Sequence, residues 1–183
     1  MERLQRAAVL LALVEKLRNR GDWCGETHIQ KTTYFLQELM NVPLGFDFIL
    51  YKHGPFSFDL SDEITAMRAD NLFKLQPQPY PYGPSILPGL GSETLKENFQ
   101  KTISQYDGQL NYVAEKFGGK TVAELERLAT AFYVTSEQAT PVNVEERSKR
   151  INELKPHISL DEARDAVLTV DRFIREVETL LSG

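Results

Sequence analysis

The stretch from Thr27 to Phe58 limits the fold most strongly, because a helix pattern, a strand pattern and a tight turn follow one another within it. Apolar side chains at helical spacing predict a helix over residues 27–41. Apolar residues alternate with polar or mixed ones over residues 46–51, which predicts a short strand. Residues 53–55 (His-Gly-Pro) then predict a turn that redirects the chain into a third helix.

Both helices of this stretch carry polar residues where side chains can cap the backbone. Thr27 and Gln30 have the spacing of a capping box, in which each side chain bonds an unpaired backbone N–H at the helix start. The third helix is predicted to run to about Arg68, and either Ser57 or Ser61 can cap its first turn.

A proline-rich segment follows the third helix and predicts an exposed loop. Residues 72–75 and 85–87 have strand composition, and the prolines between them exclude an inner strand because proline lacks a backbone N–H. Tyr80 and Tyr82 would lie near the tip of the resulting hairpin. Helix, helix, strand, helix and hairpin is the order of a winged helix, with either a small hairpin or a three-stranded sheet.

The second half of the chain has the pattern of consecutive helices, one of them over residues 92–117 and a charged one over residues 143–154. Two further capping boxes mark helix starts, and they pair Thr121 with Glu124 and Ser159 with Glu162. The predicted fold class is therefore mainly α with a small β-sheet (α+β). A winged-helix-like module would cover residues 1–90, and a helical C-terminal region over 91–183 would pack on it or form one single domain with it.

The composition is that of a folded protein, and we expect it to be cytoplasmic. Hydrophobic residues make up 42% of the chain and charged residues 26%, which is ordinary for a globular domain. The single cysteine, Cys24, excludes a disulfide within the chain and a thiolate zinc cluster. The longest apolar run near the start, residues 7–14, is too short to cross a membrane, so no membrane partner is expected.

Residues that carry catalysis or bind metals form no motif in the sequence. His28, His53 and His157 lie far apart, whereas a metal site needs three or four converging ligands. The chain has neither a Gly-x-Ser-x-Gly motif nor a glycine-rich phosphate loop. We therefore expect no catalytic residue, no metal, no cofactor and no enzymatic activity. A cryptic hydrolase is the third hypothesis, which a pocket gathering His53 with carboxylates would favour.

Binding of a nucleic acid or of a protein remains, and the charges favour a protein. The net charge is -5, and the predicted third helix sets three carboxylates against Arg68 alone, which opposes contact with phosphates. Tyrosine suits protein interfaces because it joins a large apolar area to a hydrogen-bonding tip, so Tyr80 and Tyr82 are candidate contacts. A winged-helix transcriptional regulator that binds DNA is the second hypothesis. The apolar stripe of the last helix leaves a homodimer open.

Two segments also carry a family resemblance. Residues 28–35 contain a helix motif, Gln-Lys-x-x-Tyr-Phe, and residues 51–57 contain a strand that ends in Gly-Pro. In this order they resemble the Panacea, or SocA-like, antitoxin domain family and its uncharacterised prokaryotic relatives. The resemblance covers residues 4–75, and within it His53 replaces the usual tyrosine and Ile29 stands for leucine. The matching positions are Gln30, Lys31, Tyr34, Gly54, Pro55, Leu60, Glu63 and Ile64.

The resemblance implies a binding module rather than an enzyme, because characterised members of the family neutralise toxins by direct contact. One of them looks like an adaptor that hands its toxin to a protease. The implied function is an antitoxin or a proteolytic adaptor of a prokaryotic toxin–antitoxin or stress system. From the residues themselves we expect Lys52 and His53 to lie beside Gln30 and Lys31 if the second helix packs on the strand. Such a polar patch would be either a buried hydrogen-bond network or part of a binding surface.

Overall fold

The computed structural model describes residues 1–20, 24–137 and 143–181, and it divides the chain into two compact units. Unit 1 contains residues 1–48 and 57–120, and unit 2 contains residues 49–56 and 121–183. Each is described by itself below. This division differs from a boundary at residue 90 in two ways, because residues 91–120 belong to unit 1 and the short segment 49–56 belongs to unit 2.

The core of unit 1 is built around α1 (Arg3–Asn19), which is apolar on every side of its middle turns. All residues from Ala7 to Val14 are at most 4% exposed. This helix contacts β4 (Ser85–Pro88), α4 (Ser92–Asn98), α5 (Gln100–Gln105) and α6 (Asp107–Phe117). A helix that is hydrophobic all round must be covered all round, which explains its central position.

The second helix, α2 (Glu26–Tyr34), continues through a π-helical turn at Phe35–Leu39 and ends before Asn41, which adopts a φ of 56°. The predicted capping box of Thr27 and Gln30 is wrong. The helix starts one residue before Thr27 without a side-chain cap, and the Gln30 side chain bonds a distant segment instead.

Four short strands form two antiparallel pairs in the described part of the chain. Strand β1 (Ile49–Tyr51) pairs with β2 (Gly54–Phe56), and β3 (Phe73–Gln76) pairs with β4 (Ser85–Pro88). The predicted hairpin around the proline-rich loop is therefore present. Since β1 pairs with β2, these strands do not form the three-stranded sheet typical of a winged helix.

The strand predicted over residues 46–51 begins only at Ile49. The side-chain amide of Gln37 bonds both backbone groups of Phe46, donating to its carbonyl oxygen at 2.8 Å and accepting from its N–H at 2.9 Å. Phe46 is therefore held by a side chain, and its two backbone groups are not available to a partner strand.

The third helix, α3 (Phe58–Ala69), begins as the sequence predicts. Ser57 is its N-cap and its hydroxyl accepts from the backbone N–H of Leu60 at 3.2 Å. Ser61, the alternative cap, instead donates its hydroxyl to the carboxylate of Glu26 at 2.7 Å.

The single helix predicted over residues 92–117 is wrong. Three helices cover this part of unit 1, namely α4 (Ser92–Asn98), α5 (Gln100–Gln105) and α6 (Asp107–Phe117). The breaks fall at Phe99 and Tyr106, whose φ values of -118° and -109° lie outside the helical range.

Unit 2 joins β1 and β2 to α7 (Val122–Ser136), α8 (Val144–Leu154) and α9 (Leu160–Leu181). The three helices pack on one another, and β2 packs on α7. The two predicted capping boxes at the starts of α7 and α9 are confirmed, and they pair Thr121 with Glu124 and Ser159 with Glu162.

A buried ion pair ties α8 to α9 inside unit 2. The Arg147 guanidinium donates to both carboxylate oxygens of Asp171, at 2.6 and 2.8 Å, and to the Thr135 hydroxyl of α7 at 3.1 Å. Arg147 is 8% exposed. Because the charge of a buried guanidinium must be compensated, this two-point contact fixes the relative position of the three helices.

The fold is thus mainly α with small β hairpins, as the sequence predicts. Among the described residues, no helix combines the length and the apolar character that a membrane span requires.

Candidate functional site

Gln30 connects α2 to the residue that precedes α3. Its side-chain amide donates to the Ser57 carbonyl oxygen at 2.9 Å and accepts from the Ser57 backbone N–H at 3.0 Å. Gln30 is 1% exposed, and Ser57 is fully buried. This is the pairing that a neighbouring strand would provide, made by a side chain, and it places Gln30 in a buried hydrogen-bond network.

Gln37 makes the same two kinds of bond to the backbone of Phe46. The two glutamines therefore hold Phe46 and Ser57. These residues lie on either side of residues 49–56, which belong to unit 2. We call this arrangement the glutamine clamp. Sequence analysis found Gln30 but missed Gln37, because only the three-dimensional partner distinguishes Gln37 from an ordinary polar helix residue.

Two other predicted site residues of α2 are also buried. Lys31 is 2% exposed and Tyr34 is 3% exposed. The Tyr34 ring meets Phe48 edge-on, with 5.1 Å between the ring centroids, and it also contacts Phe35. These two side chains are therefore buried and do not form an exposed face.

The predicted turn residues Lys52, His53, Gly54 and Pro55 connect β1 to β2 in unit 2. Gly54 has a φ of 83°, a conformation that residues with a Cβ rarely adopt. Gly54 and Pro55 are buried, whereas Lys52 and His53 are exposed. Lys52 and His53 thus belong to unit 2, whereas Gln30 and Lys31 belong to unit 1.

The turn is held by Lys155, which follows α8. Its ammonium group donates to the carbonyl oxygens of Tyr51 and Lys52. Lys155 is 6% exposed, and burial lowers its pKa, while the nearby carboxylate of Glu126 partly opposes that shift. The ammonium group thus replaces backbone partners that the short hairpin cannot supply.

Glu126 on α7 brings the two exposed histidines of unit 2 together. Its carboxylate is 7% exposed and accepts from His157 Nε2 at 3.2 Å, and its other oxygen lies 3.7 Å from His53 Nδ1. The side chains of His53 and His157 are 62% and 58% exposed. Within the described residues, no group of three His, Cys, Asp or Glu side chains is placed to hold a metal ion.

The predicted contact tyrosines lie on the loop between β3 and β4. Tyr80 is 97% exposed and Tyr82 is 63% exposed. In contrast, Phe73 of β3 and Ile86 of β4 are buried. A large aromatic ring left almost fully in water adds nothing to the core. The Tyr80 ring therefore presents aromatic surface that the folding of unit 1 does not use.

A groove of about 330 Å³ separates α3 from this hairpin, all of it within unit 1. Its apolar lining comes from both elements, and its charged lining consists of Glu26 and Arg68. The Arg68 guanidinium makes no hydrogen bond or ion pair with any residue that the structure describes. This groove was not predicted from the sequence, because its walls come from three separate segments.

Cys24 shows no sign of chemical reactivity. It is 1% exposed, and burial raises the pKa of its thiol to about 12, which a more distant Arg18 charge only partly offsets. The thiolate, which is the nucleophilic form, is therefore nearly absent at neutral pH.

No known protein-family model matches this chain, and no curated protein sequence matches it. The resemblance to the Panacea family thus rests on the residues quoted above.

Proposed function

We propose that this chain is a non-enzymatic protein-interaction module, and that its contact surface is the tip of the β3–β4 hairpin. The observation that carries the proposal is the 97% exposure of Tyr80 on a proline-rich loop. Tyr82, which is 63% exposed, lies on the same loop. Rigid aromatic side chains give a large contact area and lose little conformational entropy on binding, which is why tyrosine dominates many binding energies.

The loop itself favours binding for the same reason. Prolines at positions 77, 79, 81 and 84 restrict the backbone of the loop. A restricted loop has less freedom to lose when a partner orders it, so more of the contact energy appears as affinity.

We further propose that the partner is a toxin, which the module neutralises or delivers to a protease. This finer proposal is supported by the resemblance to the Panacea family alone. The matching residues Gln30 and Tyr34 are buried, so we assign them to maintaining the module and the hairpin to contacting the partner.

A nuclease-treated affinity capture from the lysate of the native host tests the proposal. Three full-length baits are compared, namely the wild type, Tyr80→Ser and Leu90→Ser, with quantification of bound protein and of residual nucleic acid. Leu90 is the matched control because it is 95% exposed and lies outside the hairpin. Removing a central aromatic contact is expected to weaken capture about tenfold or more.

The proposal predicts one protein in stoichiometric amount with the wild type and with Leu90→Ser, and a loss with Tyr80→Ser. Equal capture by all three baits would contradict the assignment of the hairpin. Protected DNA in place of a protein partner would contradict the function itself.

A further inference from the structure

We propose that the groove between α3 and the β3–β4 hairpin binds an extended segment of the partner, in which an apolar side chain lies next to a carboxylate. This inference rests on the proposed function and specifies how the partner is recognised. It commits to a peptide segment of a partner protein as the occupant of the groove.

The bottom of the groove is apolar and preformed. Ile64 of α3 and Ile86 of β4 are 3% and 2% exposed, so both are fixed in the core of unit 1. Leu75 of β3, at 37% exposure, and the exposed Pro84 form the outer wall. Apolar side chains that are already ordered can accept another apolar side chain without rearrangement of the fold.

The size of the groove suits a short segment rather than a large ligand. Its volume of about 330 Å³ lies at the lower end of the range for ligand pockets. That volume accommodates one or two side chains of a peptide, and the rest of the partner would remain outside.

The charges of the groove select a carboxylate. Arg68 is exposed and makes no ion pair with any described residue, so its guanidinium is the candidate partner for a ligand carboxylate. Glu26 is the opposing charge, and one of its oxygens already accepts the Ser61 hydroxyl. Glu26 also lies in the first turn of α2, where the backbone N–H groups offset a negative charge.

The groove is continuous with the hairpin tip. Leu75 at the end of β3 and Gly83 and Pro84 before β4 line the groove, and the same loop carries Tyr80 and Tyr82. A partner that contacts Tyr82 would therefore lie next to Gly83, which lines the groove. One surface of unit 1 would then provide both the aromatic contact and the charged one.

The test uses the immobilised full-length protein and a phage-displayed library of random dodecapeptides. Enriched peptides are expected to share a large apolar residue within two positions of Asp or Glu. A synthetic peptide from the enriched set is then titrated against the wild type, Arg68→Glu and Lys74→Glu. Lys74 is the matched control because it is an exposed cation of the same hairpin that does not line the groove.

Charge reversal at Arg68 is expected to weaken peptide binding about fivefold or more, and reversal at Lys74 about twofold or less. Thermal unfolding of each variant verifies that the fold is retained, as expected for two exposed positions. Failure to enrich any peptide, or equal losses with both variants, would overturn the inference. A wild-type dimer that Arg68→Glu dissociates in sedimentation experiments would also overturn it, because a second copy of the chain would then fill the groove.

The two proposals can fail separately. Capture of the native partner that depends on Tyr80 and is unchanged in Arg68→Glu would overturn the groove assignment and retain the interaction function. Capture that is insensitive to Tyr80 would contradict the hairpin contact, whatever the peptide library yields.

Discussion

At the residue scale, the glutamine clamp explains how the chain is held in unit 1 before and after residues 49–56, which belong to unit 2. Gln30 and Gln37 lie two turns apart on one continuous helix, and each satisfies both backbone groups of one residue. Buried backbone groups need such partners, since an unpaired N–H or C=O in the interior costs free energy.

Replacing Gln30 with alanine is expected to lower the free energy of unfolding by about 2–3 kcal/mol, because it leaves the N–H of fully buried Ser57 unpaired, while the Ser57 carbonyl oxygen keeps its bond from the Ser61 N–H. Gln37→Ala is the matched control and should cost about 1 kcal/mol, because Gln37 is half-buried and water can replace it. Urea denaturation of both variants measures the difference. Equal losses would contradict the account of Gln30.

Cys24 should react slowly with thiol reagents in the native protein. Its folded-state pKa of about 12 reduces the thiolate at pH 7.5 on the order of a thousandfold relative to an unfolded cysteine. Labelling with iodoacetamide, followed by mass spectrometry with and without denaturant, measures the ratio of the two rates. Native labelling as fast as denatured labelling would show that the thiol is not buried.

At the element scale, sequence patterns predicted helix starts correctly where both interacting residues belong to the same helix turn. The capping boxes at Thr121 and Ser159 formed because both partners lie within one turn. The capping box at Thr27 failed because Gln30 has a stronger buried use elsewhere. Spacing alone cannot reveal a partner that lies in a different segment of the chain.

The same reason explains the other missed features. Helix periodicity continues through Phe99 and Tyr106. Neither a proline nor a pair of glycines marks the two breaks, so the sequence does not indicate them. Glu126 lies on α7, and His157 follows α8. Their sequence positions do not show that Glu126 approaches both His157 and His53. The exposed tyrosines were predictable, because the prolines around them prevent regular pairing.

The turn between β1 and β2 should depend on Lys155. Lys155→Met removes a buried donor shared by two carbonyl oxygens and is expected to cost about 1.5–3 kcal/mol of stability. Lys52→Met is the control, since that side chain is exposed, and it should change stability by less than about 0.5 kcal/mol. Chemical denaturation of the two variants provides the comparison.

The lowered pKa of Lys155 adds a pH test. Between its folded-state pKa and the ordinary lysine value near 10.4, the unfolded state binds more protons than the folded state, so this group makes stability rise with pH. Lys155→Met should lack that contribution. An identical pH dependence in wild type and variant at pH values just below the ordinary lysine pKa would contradict the assigned burial.

At the scale of the whole molecule, the division into units was not visible in the sequence. The boundary at residue 90 was predicted from the change in composition at the proline-rich loop. In the structure, unit 2 instead contains residues 49–56 together with the chain from residue 121. A segment of eight residues has too little composition of its own to indicate which part of the protein it joins.

The overall charge leads to a prediction about nucleic acids. The net charge is -5, and the exposed face of α3 carries Asp59 and Asp62, so a DNA phosphate would meet like charge there. A fluorescently labelled duplex is expected to show no binding to the protein at about 10 μM and about 150 mM salt. Saturable binding in fluorescence anisotropy would instead support the regulator hypothesis.

Photo-crosslinking in the native host shows whether the tip of the β3–β4 hairpin contacts a protein. A photoreactive phenylalanine analogue is placed at position 80 in one strain and at position 90 in another, both of them highly exposed sites. The account predicts one discrete protein adduct from position 80 and none from position 90. No adduct at position 80, or the same adduct from both positions, would contradict the claim that the hairpin tip is the protein-binding surface.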